Sequence, residues 1–259
     1  MNFEDYLITE GINDKGIFKA IFMVGFPGAG KSFTITKIKA GDIEPRIVNT
    51  DKFFTLFKDQ WNMWDKIGER VKVVNRRQLA LYINSVLPMF IDGTGSSTSL
   101  VLRRRGILES YGYDVGMVFV NTSLETSLER ASKRERKVDP EFIKSAYEQI
   151  NKAKSFYRSK FSTWMEVDND KGQLNDSVVL HAFKVTKSFF SNKIVNPIGK
   201  EYKEKMIENG WKYLDPNIIE LTDIERSLQS WYVKWNSNNI WRMKRWNSNN
   251  IWMKKHLLL

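Results

Sequence analysis

The sequence contains no cysteine, and its only histidines are His181 and His256. Without thiols the protein cannot form disulfides, bind zinc through thiolates or use a cysteine nucleophile. Two histidines are too few for a histidine-rich metal site. Because a chain without disulfides suits a reducing compartment, we expect a cytoplasmic protein.

Long apolar runs are also missing. The longest lies around Ala20–Phe26, which is far too short to cross a bilayer. The first five residues have neither the basic segment nor the apolar run of a signal peptide. We therefore expect no membrane partner. The apolar content of 42% over 259 residues is enough for the core of one α/β domain with extensions.

Acidic residues are absent from the C-terminal part of the sequence, although the chain as a whole has a net charge of +11. Residues 231–259 contain six lysines and arginines, which leaves 35 basic and 30 acidic residues in the rest of the chain. A small basic surplus is ordinary in proteins that bind phosphates. The charge of the main body is therefore weak evidence for a nucleic-acid partner.

The same C-terminal part contains a tandem repeat. The seven residues Trp235–Trp241 recur unchanged at Trp246–Trp252, with a period of 11 residues. Two copies are too few for a solenoid. Tryptophans beside lysine and arginine could stack on nucleic-acid bases. The repeat could equally be a recent duplication without function, so nucleic acid stays open as a partner.

The rest of the sequence alternates between strand and helix patterns. Short apolar segments predict five strands, each followed by a helix. This order predicts an α/β fold in which a parallel, doubly wound sheet is covered by helices on both faces. We expect an N-terminal arm at 1–16, a main domain at 17–195 and a helical, basic, tryptophan-rich extension at 196–259. The predicted strands lie at 17–26, 46–50, 87–91, 114–120 and 163–167.

One segment fits the P-loop pattern G-x-x-x-x-G-K-[ST] and lies between an apolar strand and a helix, as that motif requires. Its glycines let backbone N–H groups converge on a phosphate, and the helix N-terminus adds a favourable dipole. Lys31 is expected to reach the β- and γ-phosphates, and the Ser32 hydroxyl to bind Mg²⁺. The predicted nucleotide-binding residues here are Gly25, Gly28, Ala29, Gly30, Lys31, Ser32 and Phe33.

Two aspartates follow the second and third predicted strands. Because the carboxyl ends of parallel strands meet at one edge of a sheet, Asp51 and Asp92 are expected near the P-loop. Asp92 could bind the metal or its waters, although an aspartate at a strand end also forms turns. Asp51 could take the proton of an attacking hydroxyl. It could also be the N-cap of a helix that begins near Lys52.

A basic stretch follows the fourth predicted strand. It consists of Arg130, Lys133, Arg134, Arg136 and Lys137, with few acidic residues between them. One interpretation is a solvated helix face. The other is a mobile lid whose arginines stabilise the negative charge that phosphoryl transfer concentrates on the equatorial oxygens.

These features together resemble one family. Beside the P-loop, the motifs that carry the resemblance are Asn49-Thr50-Asp51, Ile91-Asp92-Gly93-Thr94-Gly95 and Arg130-x-x-x-Arg134-x-Arg136. They resemble the zeta-toxin and polynucleotide-kinase group of P-loop kinases, and most of all kinase-like proteins of tailed bacteriophages. The resemblance extends from about Phe18 to Pro197.

The resemblance implies a three-layer P-loop NTPase fold with strand order 2-3-1-4-5, and ATP or GTP with Mg²⁺ as cofactors. It also implies transfer of the γ-phosphate to a hydroxyl. In that group an aspartate at the position of Asp51 is the general base. Lid arginines clamp the phosphates, which gives Arg134 and Arg136 a catalytic role and places Arg130 against the nucleotide. Asp92 is the second expected metal ligand.

The acceptor stays open. Related proteins often carry a basic residue directly after the Asp-Gly-Thr-Gly, where this sequence has Ser96. Arg76, Arg77 or the arginines at 103–105 could take that role or be plain surface charge. A polynucleotide 5′-hydroxyl, a nucleoside, another small molecule or, as in a zeta toxin, a nucleotide sugar are all compatible acceptors.

An alternative of another class is an NTP-binding or nucleic-acid-binding phage protein with little turnover, located in the host cytoplasm. Such a protein would use the tryptophan-rich tail. A plain GTPase is disfavoured because the sequence has no guanine-specifying Asn-Lys-x-Asp. Transfer of labelled γ-phosphate separates a kinase from a protein that only binds.

Overall fold

The computed structural model describes residues 14–39, 42–54, 64–135, 138–170 and 176–208. Within these ranges the strands are β1 (Lys19–Gly25), β2 (Arg46–Asn49), β3 (Met89–Gly93), β4 (Asp114–Asn121) and β5 (Thr163–Asp168). They form one sheet in which every neighbouring pair is parallel. The strand order is β2–β3–β1–β4–β5, which confirms the predicted order 2-3-1-4-5.

Helices connect these strands and cover both faces of the sheet. Those in the described part of the chain are α1 (Lys31–Ile38), α2 (Thr50–Phe54), α3 (Trp64–Asn84), α4 (Thr98–Ser110), α5 (Leu124–Ser132), α6 (Pro140–Lys160), α7 (Asp176–Ser191) and α8 (Pro197–Glu208). Helices α1 and α7 pack against each other on one face. Because β–α–β crossovers are right-handed, α3, α4 and α6 cover the other face.

The strand register brings the carboxyl ends of β1, β2 and β3 to one edge of the sheet. Asp92 of β3 is the partner of Asn49 on β2 and of Met23 on β1. All seven residues of β1 are buried, as expected for a central strand covered on both faces. The segments that follow these three strands therefore meet at one edge.

Two element boundaries differ from the sequence prediction. The third strand was expected to end at Ile91, but it continues to Gly93 because Asp92 and Gly93 still pair with β1. The second strand ends at Asn49, and Thr50 already begins α2. Asp92 therefore lies inside its strand and not after it, and Asp51 lies two residues beyond the end of β2.

Two helix starts are capped by side chains that precede them. Asp139 caps α6 by accepting a hydrogen bond from the Glu141 N–H at 2.9 Å, ahead of a proline at the first helical position. The segment Thr122-Ser123-Leu124-Glu125 has the form of a capping box, which predicts Thr122 as the cap of α5. Instead Ser123 is the cap, with its Oγ accepting from the Thr126 N–H at 3.2 Å. The Thr122 hydroxyl donates to Asp170 across the neighbouring loop, so it does not face the helix.

The single charged residue of the first strand is compensated by an acid. Lys19 Nζ lies 2.6 Å from Asp114 Oδ2, and the two side chains are only 3% and 13% exposed. The backbone N–H groups of Val195 and Asn196 also donate to the Asp114 carboxylate, at 2.8 Å each. This buried cluster fastens the chain ahead of α8 to the amino-terminal edge of the sheet, opposite the carboxyl ends.

Helix α8 continues the main domain beyond position 195. Asn196 caps it by accepting from the Ile198 N–H at 2.9 Å, and Met206 is buried in the same hydrophobic core as the sheet. Residues 1–13 of the predicted arm, and the repeat within 209–259, lie outside the described residues. None of the helices in the described part of the chain is long and apolar enough to cross a membrane.

Candidate nucleotide site

The P-loop has the backbone conformation that its sequence predicts. Gly28 and Gly30 have φ values of +91° and +86°, in the left-handed region that glycine adopts without strain. A side chain at Gly30 would lie 2.2 Å from the Asn169 amide nitrogen, so the position also has no room for a Cβ. Left-handed residues in such a loop turn N–H groups toward one side and form an anion-binding concavity.

Three consecutive carbonyl groups of the loop accept hydrogen bonds from side chains behind it. The Ser127 hydroxyl donates to the Pro27 carbonyl, Arg130 Nη1 to the Gly28 carbonyl at 3.5 Å, and Asn169 Nδ2 to the Ala29 carbonyl at 2.7 Å. In a trans peptide the N–H points away from the C=O. The N–H groups of Gly28 and Gly30 therefore face the opposite side, where a phosphate can bind, whereas the Ala29 N–H donates to the Phe26 carbonyl at 3.0 Å.

Lys31 is half-buried at the mouth of this loop. Its Nζ donates to the Gly25 carbonyl at 2.9 Å and to the Phe26 carbonyl at 3.1 Å. Burial lowers the pKa of Lys31, the negative charge of Asp92 opposes that shift, and the positive charge of Arg134 adds to it. The positive charge is therefore poorly compensated by the protein itself, and a bound phosphate would supply the missing negative charge.

Asp92 lies between the P-loop and the end of β2. Its Oδ2 accepts a hydrogen bond from Ser32 Oγ at 3.4 Å and one from Asn49 Nδ2 at 2.7 Å. Burial raises the pKa of Asp92, the positive charge of Lys31 opposes the shift, and the negative charge of Asp51 adds to it. The two residues predicted to bind metal, Ser32 and Asp92, are thus brought together.

The chemistry of this pair fits Mg²⁺. A hydroxyl and a carboxylate supply the oxygen ligands that Mg²⁺ prefers, and the ion usually takes its other ligands from water and substrate phosphates. Among the described residues there is no group of three or more acidic or histidine side chains that could hold a metal alone. The site therefore suits a metal that arrives with a nucleotide.

Asp51 lies in the first turn of α2, with its side chain exposed at the same edge of the sheet. The N-cap interpretation of this residue was wrong, since Asn49 is the cap: its Oδ1 accepts from the Asp51 N–H at 2.6 Å. The charge of Asp51 acts on both Lys31 and Asp92. Asn49 thus links the Asp92 carboxylate, which it contacts through its amide nitrogen, to the backbone N–H of Asp51, which it contacts through its amide oxygen.

The basic stretch divides into residues with different surroundings. Arg130 is half-buried behind the P-loop, where its Nη2 also donates to the Asn169 carbonyl at 2.9 Å. Arg134 is exposed, and its positive charge acts on Lys31 and Asp92. Lys133 forms a solvent-exposed ion pair with Glu129 on the same helix. Arg136 and Lys137 lie outside the described residues.

Some positions of the site were not anticipated from the sequence, and the ring of one expected residue lies on the surface of its helix. Phe33 is 50% exposed, and the Lys37 ammonium lies 5.5 Å from the centre of its ring on the surface of α1. Asn49 belongs to the motif Asn49-Thr50-Asp51, but no function was predicted for its side chain. Ser127 and Asn169 carried no signal, because they lie 100 and 140 residues from the carbonyls that they contact.

Comparison with known proteins gives a family and several similar folds. The family model described as AAA domain matches residues 21–158. No curated protein matches the sequence. Similar solved structures include a kinase-like protein from Chloroflexus aurantiacus, at 14% identity and a TM-score of 0.48, where the match covers 64% of this chain and 97% of the other.

Two further solved structures are similar in fold. Shikimate kinase from Acinetobacter baumannii matches at 17% identity and a TM-score of 0.42, over 68% of this chain and 94% of the other. A protein of the PezAT chromosomal toxin–antitoxin system of Streptococcus pneumoniae matches at 18% identity and a TM-score of 0.45, over 80% of this chain and 95% of the other. At these identities the likeness concerns the fold.

Proposed function

Because the chain belongs to the AAA domain family, whose model covers the P-loop, Asp51 and Asp92, we propose that it is an ATP-dependent phosphotransferase. In this proposal the γ-phosphate moves to a hydroxyl acceptor. The observation that carries the proposal is the pair of carboxylates at the mouth of the P-loop. Asp92 lies 3.4 Å from the Ser32 hydroxyl, and a second carboxylate, Asp51, acts electrostatically on both Lys31 and Asp92.

The two carboxylates suit different tasks. Asp92 is half-buried and accepts hydrogen bonds from Ser32 and Asn49, so it is suited to hold Mg²⁺ beside the phosphates. Asp51 is exposed and can meet a second substrate. A protein that only binds nucleotide has no use for a second carboxylate at the open side, whereas a hydroxyl acceptor needs a base there.

The proposed reaction breaks the bond between the γ-phosphorus and the β–γ bridging oxygen and forms a bond to the acceptor oxygen. Asp51 takes the hydroxyl proton, and ADP leaves. The loop N–H groups and Lys31 hold the phosphates in line, and Arg134 and Arg136 stabilise charge on the equatorial oxygens. When bound, Mg²⁺ would neutralise charge on the β- and γ-phosphates from the side of Ser32 and Asp92.

The acceptor is proposed only as a class. A polynucleotide 5′-hydroxyl, a nucleoside and a small metabolite hydroxyl are the candidates, and a nucleotide sugar is the zeta-toxin-like alternative. A nucleic-acid-binding protein with little turnover would depend on the tryptophan-rich repeat, which lies outside the described residues. ATP is the proposed nucleotide and GTP the alternative, while the missing guanine-specifying motif disfavours a plain GTPase.

The test is transfer of label from [γ-³²P]ATP with Mg²⁺ to a panel of acceptors. The panel contains 5′-hydroxyl oligonucleotides, nucleosides, nucleotide sugars and neutral sugars. We expect the unmodified chain to label one class of acceptor and Lys31→Ala to label none. ATP binding without any labelled product across the panel would support the nucleotide-binding alternative instead.

A further inference from the structure

A buried tyrosine of α6 supports the segment that follows Asp92. This segment, residues 94–97, joins β3 to α4, and we call it the β3–α4 loop. Tyr157 is 0% exposed, and its hydroxyl donates to the Gly95 carbonyl at 2.5 Å. Because burial raises the pKa of Tyr157 to about 12, the hydroxyl keeps its proton at neutral pH and remains a donor. The reaction described above assigns no task to this tyrosine.

The β3–α4 loop is also fixed to the first strand. The Thr94 carbonyl accepts a hydrogen bond from the Gly25 N–H at 3.3 Å. Gly95 has a φ of +75°, and a Cβ at this position would lie 2.3 Å from Val24 Cγ1. The loop backbone therefore packs directly on β1. Tyr157 adds a contact from α6, so two separate elements hold the loop beside the P-loop.

The ring of Tyr157 is held independently of its hydroxyl. Its centre lies 6.5 Å from that of Phe161, which in turn lies 5.9 Å from that of Phe22 on β1. Side chains of a helix lean toward the helix N-terminus, and α6 runs from the carboxyl edge of the sheet toward the start of β5. The hydroxyl is thereby directed at the carboxyl edge. Since ring packing needs no hydroxyl, the bond to the loop can be removed without removing the aromatic contacts.

The β3–α4 loop lies next to the carboxylate that we propose as the base. Strands β2 and β3 are neighbours in the sheet, and neighbouring strands are about 4.8 Å apart. Asn49 pairs with Asp92, and Asp51 and Thr94 each lie two residues beyond this pair. Apart from its chain neighbours, no atom of the described residues lies within 4 Å of the position that a Cβ at Gly93 would take. Open space thus adjoins the start of the loop, and an acceptor whose hydroxyl is at Asp51 has room to lie against it.

We propose that Tyr157 is a positioning residue for the acceptor, because its hydroxyl holds the β3–α4 loop in the place where the acceptor lies against it. The proposal rests on the proposed function, which supplies an acceptor at Asp51. The nucleotide is held by a separate set of contacts, since the P-loop carbonyls accept from Ser127, Arg130 and Asn169 in the other half of the sheet. The rate of transfer depends on the geometry of the reacting groups. A displaced loop therefore slows transfer to the acceptor and leaves nucleotide binding intact.

The experiment compares two tyrosine variants of the full chain. Tyr157→Phe removes the bond to Gly95 and keeps the ring. The matched control is Tyr113→Phe, because Tyr113 is also 0% exposed and donates to the carbonyls of Tyr82 and Leu87, at 3.0 Å and 3.2 Å. Those carbonyls precede β3, at the amino-terminal edge of the sheet. Both variants therefore lose a buried hydroxyl of the same kind, but only Tyr157→Phe loses it beside the site.

Three quantities are measured: kcat/KM for the acceptor that the panel identifies, the Kd of ATP, and the hydrogen-exchange rate of the Gly25 amide. We expect kcat/KM for the acceptor to fall about tenfold to a hundredfold in Tyr157→Phe, because the loop carbonyl loses its donor and the acceptor loses its alignment. The Kd of ATP should stay essentially unchanged. The Gly25 amide should exchange faster, since the Thr94 carbonyl that it contacts is freer to move. Tyr113→Phe should keep all three values of the unmodified chain.

The outcomes separate this inference from the proposed function. Equal kcat/KM in Tyr157→Phe and in the unmodified chain would overturn the inference and leave the proposed function standing. Equal losses in the two variants would also overturn it, because they would reflect general stability, which the melting temperature of each variant measures. A loss of ATP affinity as large as the loss in kcat/KM would make Tyr157 a support of the nucleotide site instead. No transfer by the unmodified chain to any acceptor would refute the proposed function, and the inference with it.

Discussion

The side-chain amide of Asn169 donates a 2.7 Å hydrogen bond to the carbonyl oxygen of Ala29, and this bond joins the end of β5 to the phosphate-binding loop. Asn169 is 3% exposed and fills the space that a side chain at Gly30 would need. With Ser127 and Arg130 it holds the loop carbonyls away from the nucleotide. The loop is therefore preorganised by contacts that come from the other half of the sheet.

Asn169→Ala is predicted to weaken ATP binding. The substitution leaves the buried Ala29 carbonyl without a donor, at a cost of about 1–3 kcal/mol, and frees the loop to rotate. We expect about a tenfold rise in the Kd of ATP, measured by calorimetry. The rise should be larger for Asn169→Asp, because that substitution places a carboxylate oxygen against the Ala29 carbonyl oxygen. Asn192→Ala, an exposed asparagine, is the control. An unchanged Kd in Asn169→Ala would show that the loop keeps its shape without this bond.

Lys31→Ala is predicted to abolish stabilisation by nucleotide. A ligand that binds only the folded state raises the melting temperature by an amount that grows with the ratio of its concentration to its Kd. ATP with Mg²⁺ should raise the melting temperature of the unmodified chain but not that of Lys31→Ala. Lys37→Ala, on the surface of the same helix, should keep the full shift. An equal shift in Lys31→Ala would mean that the nucleotide binds elsewhere.

The raised pKa of Asp92 predicts a pH-dependent requirement for magnesium. A proton and Mg²⁺ compete for this carboxylate, and the raised pKa lets the proton compete at a pH where an ordinary carboxyl is already ionised. The Mg²⁺ concentration needed for half-maximal ATP binding should therefore fall as the pH rises through that pKa. Asp92→Asn should need more Mg²⁺ and lose the dependence. If the Mg²⁺ concentration needed by the unmodified chain does not change with pH, this role of Asp92 is contradicted.

Asp114→Ala is predicted to destabilise the fold severely, while Lys19→Met is not. Removing the acid leaves Lys19 buried and unpaired, which costs about 3–5 kcal/mol in comparable pairs, whereas in Lys19→Met the Asp114 carboxylate is 13% exposed and keeps the N–H groups of Val195 and Asn196 as donors. Urea denaturation measures the free energy of unfolding. Asp42→Ala breaks an exposed ion pair with Lys15 and should leave it essentially unchanged. A small effect of Asp114→Ala on the free energy of unfolding would show that the Lys19–Asp114 pair does not stabilise the amino-terminal edge of the sheet.

The features that the sequence predicted are those encoded by local patterns. The P-loop is contiguous, and alternating strand and helix patterns were sufficient for a parallel sheet. The strand order came from a family resemblance. Asp51 and Asp92 were placed at one edge because both follow parallel strands, and the register of Asn49 with Asp92 supports that placement.

The features that the sequence did not predict depend on contacts between distant segments. Nothing near Asn169 indicates that its side chain reaches Ala29, and Ser127 looks like an ordinary helix residue. The capping of α5 by Ser123 was missed because Thr122 is engaged by Asp170, a partner 48 residues away. Likewise, Arg104 and Arg105 are adjacent in sequence, yet only the fold shows that Arg105 is fastened to α6.

The most direct test of the central claim is the single-turnover rate of γ-phosphate transfer in Asp51→Asn, measured with the acceptor that the panel identifies. General-base catalysis contributes about 10²- to 10⁴-fold. We predict a loss of at least about a hundredfold in rate, with the ATP affinity unchanged. Glu141→Gln, an exposed first-turn acid of α6, should transfer at the full rate. Full-rate transfer by Asp51→Asn would contradict the account of two carboxylates with separate tasks.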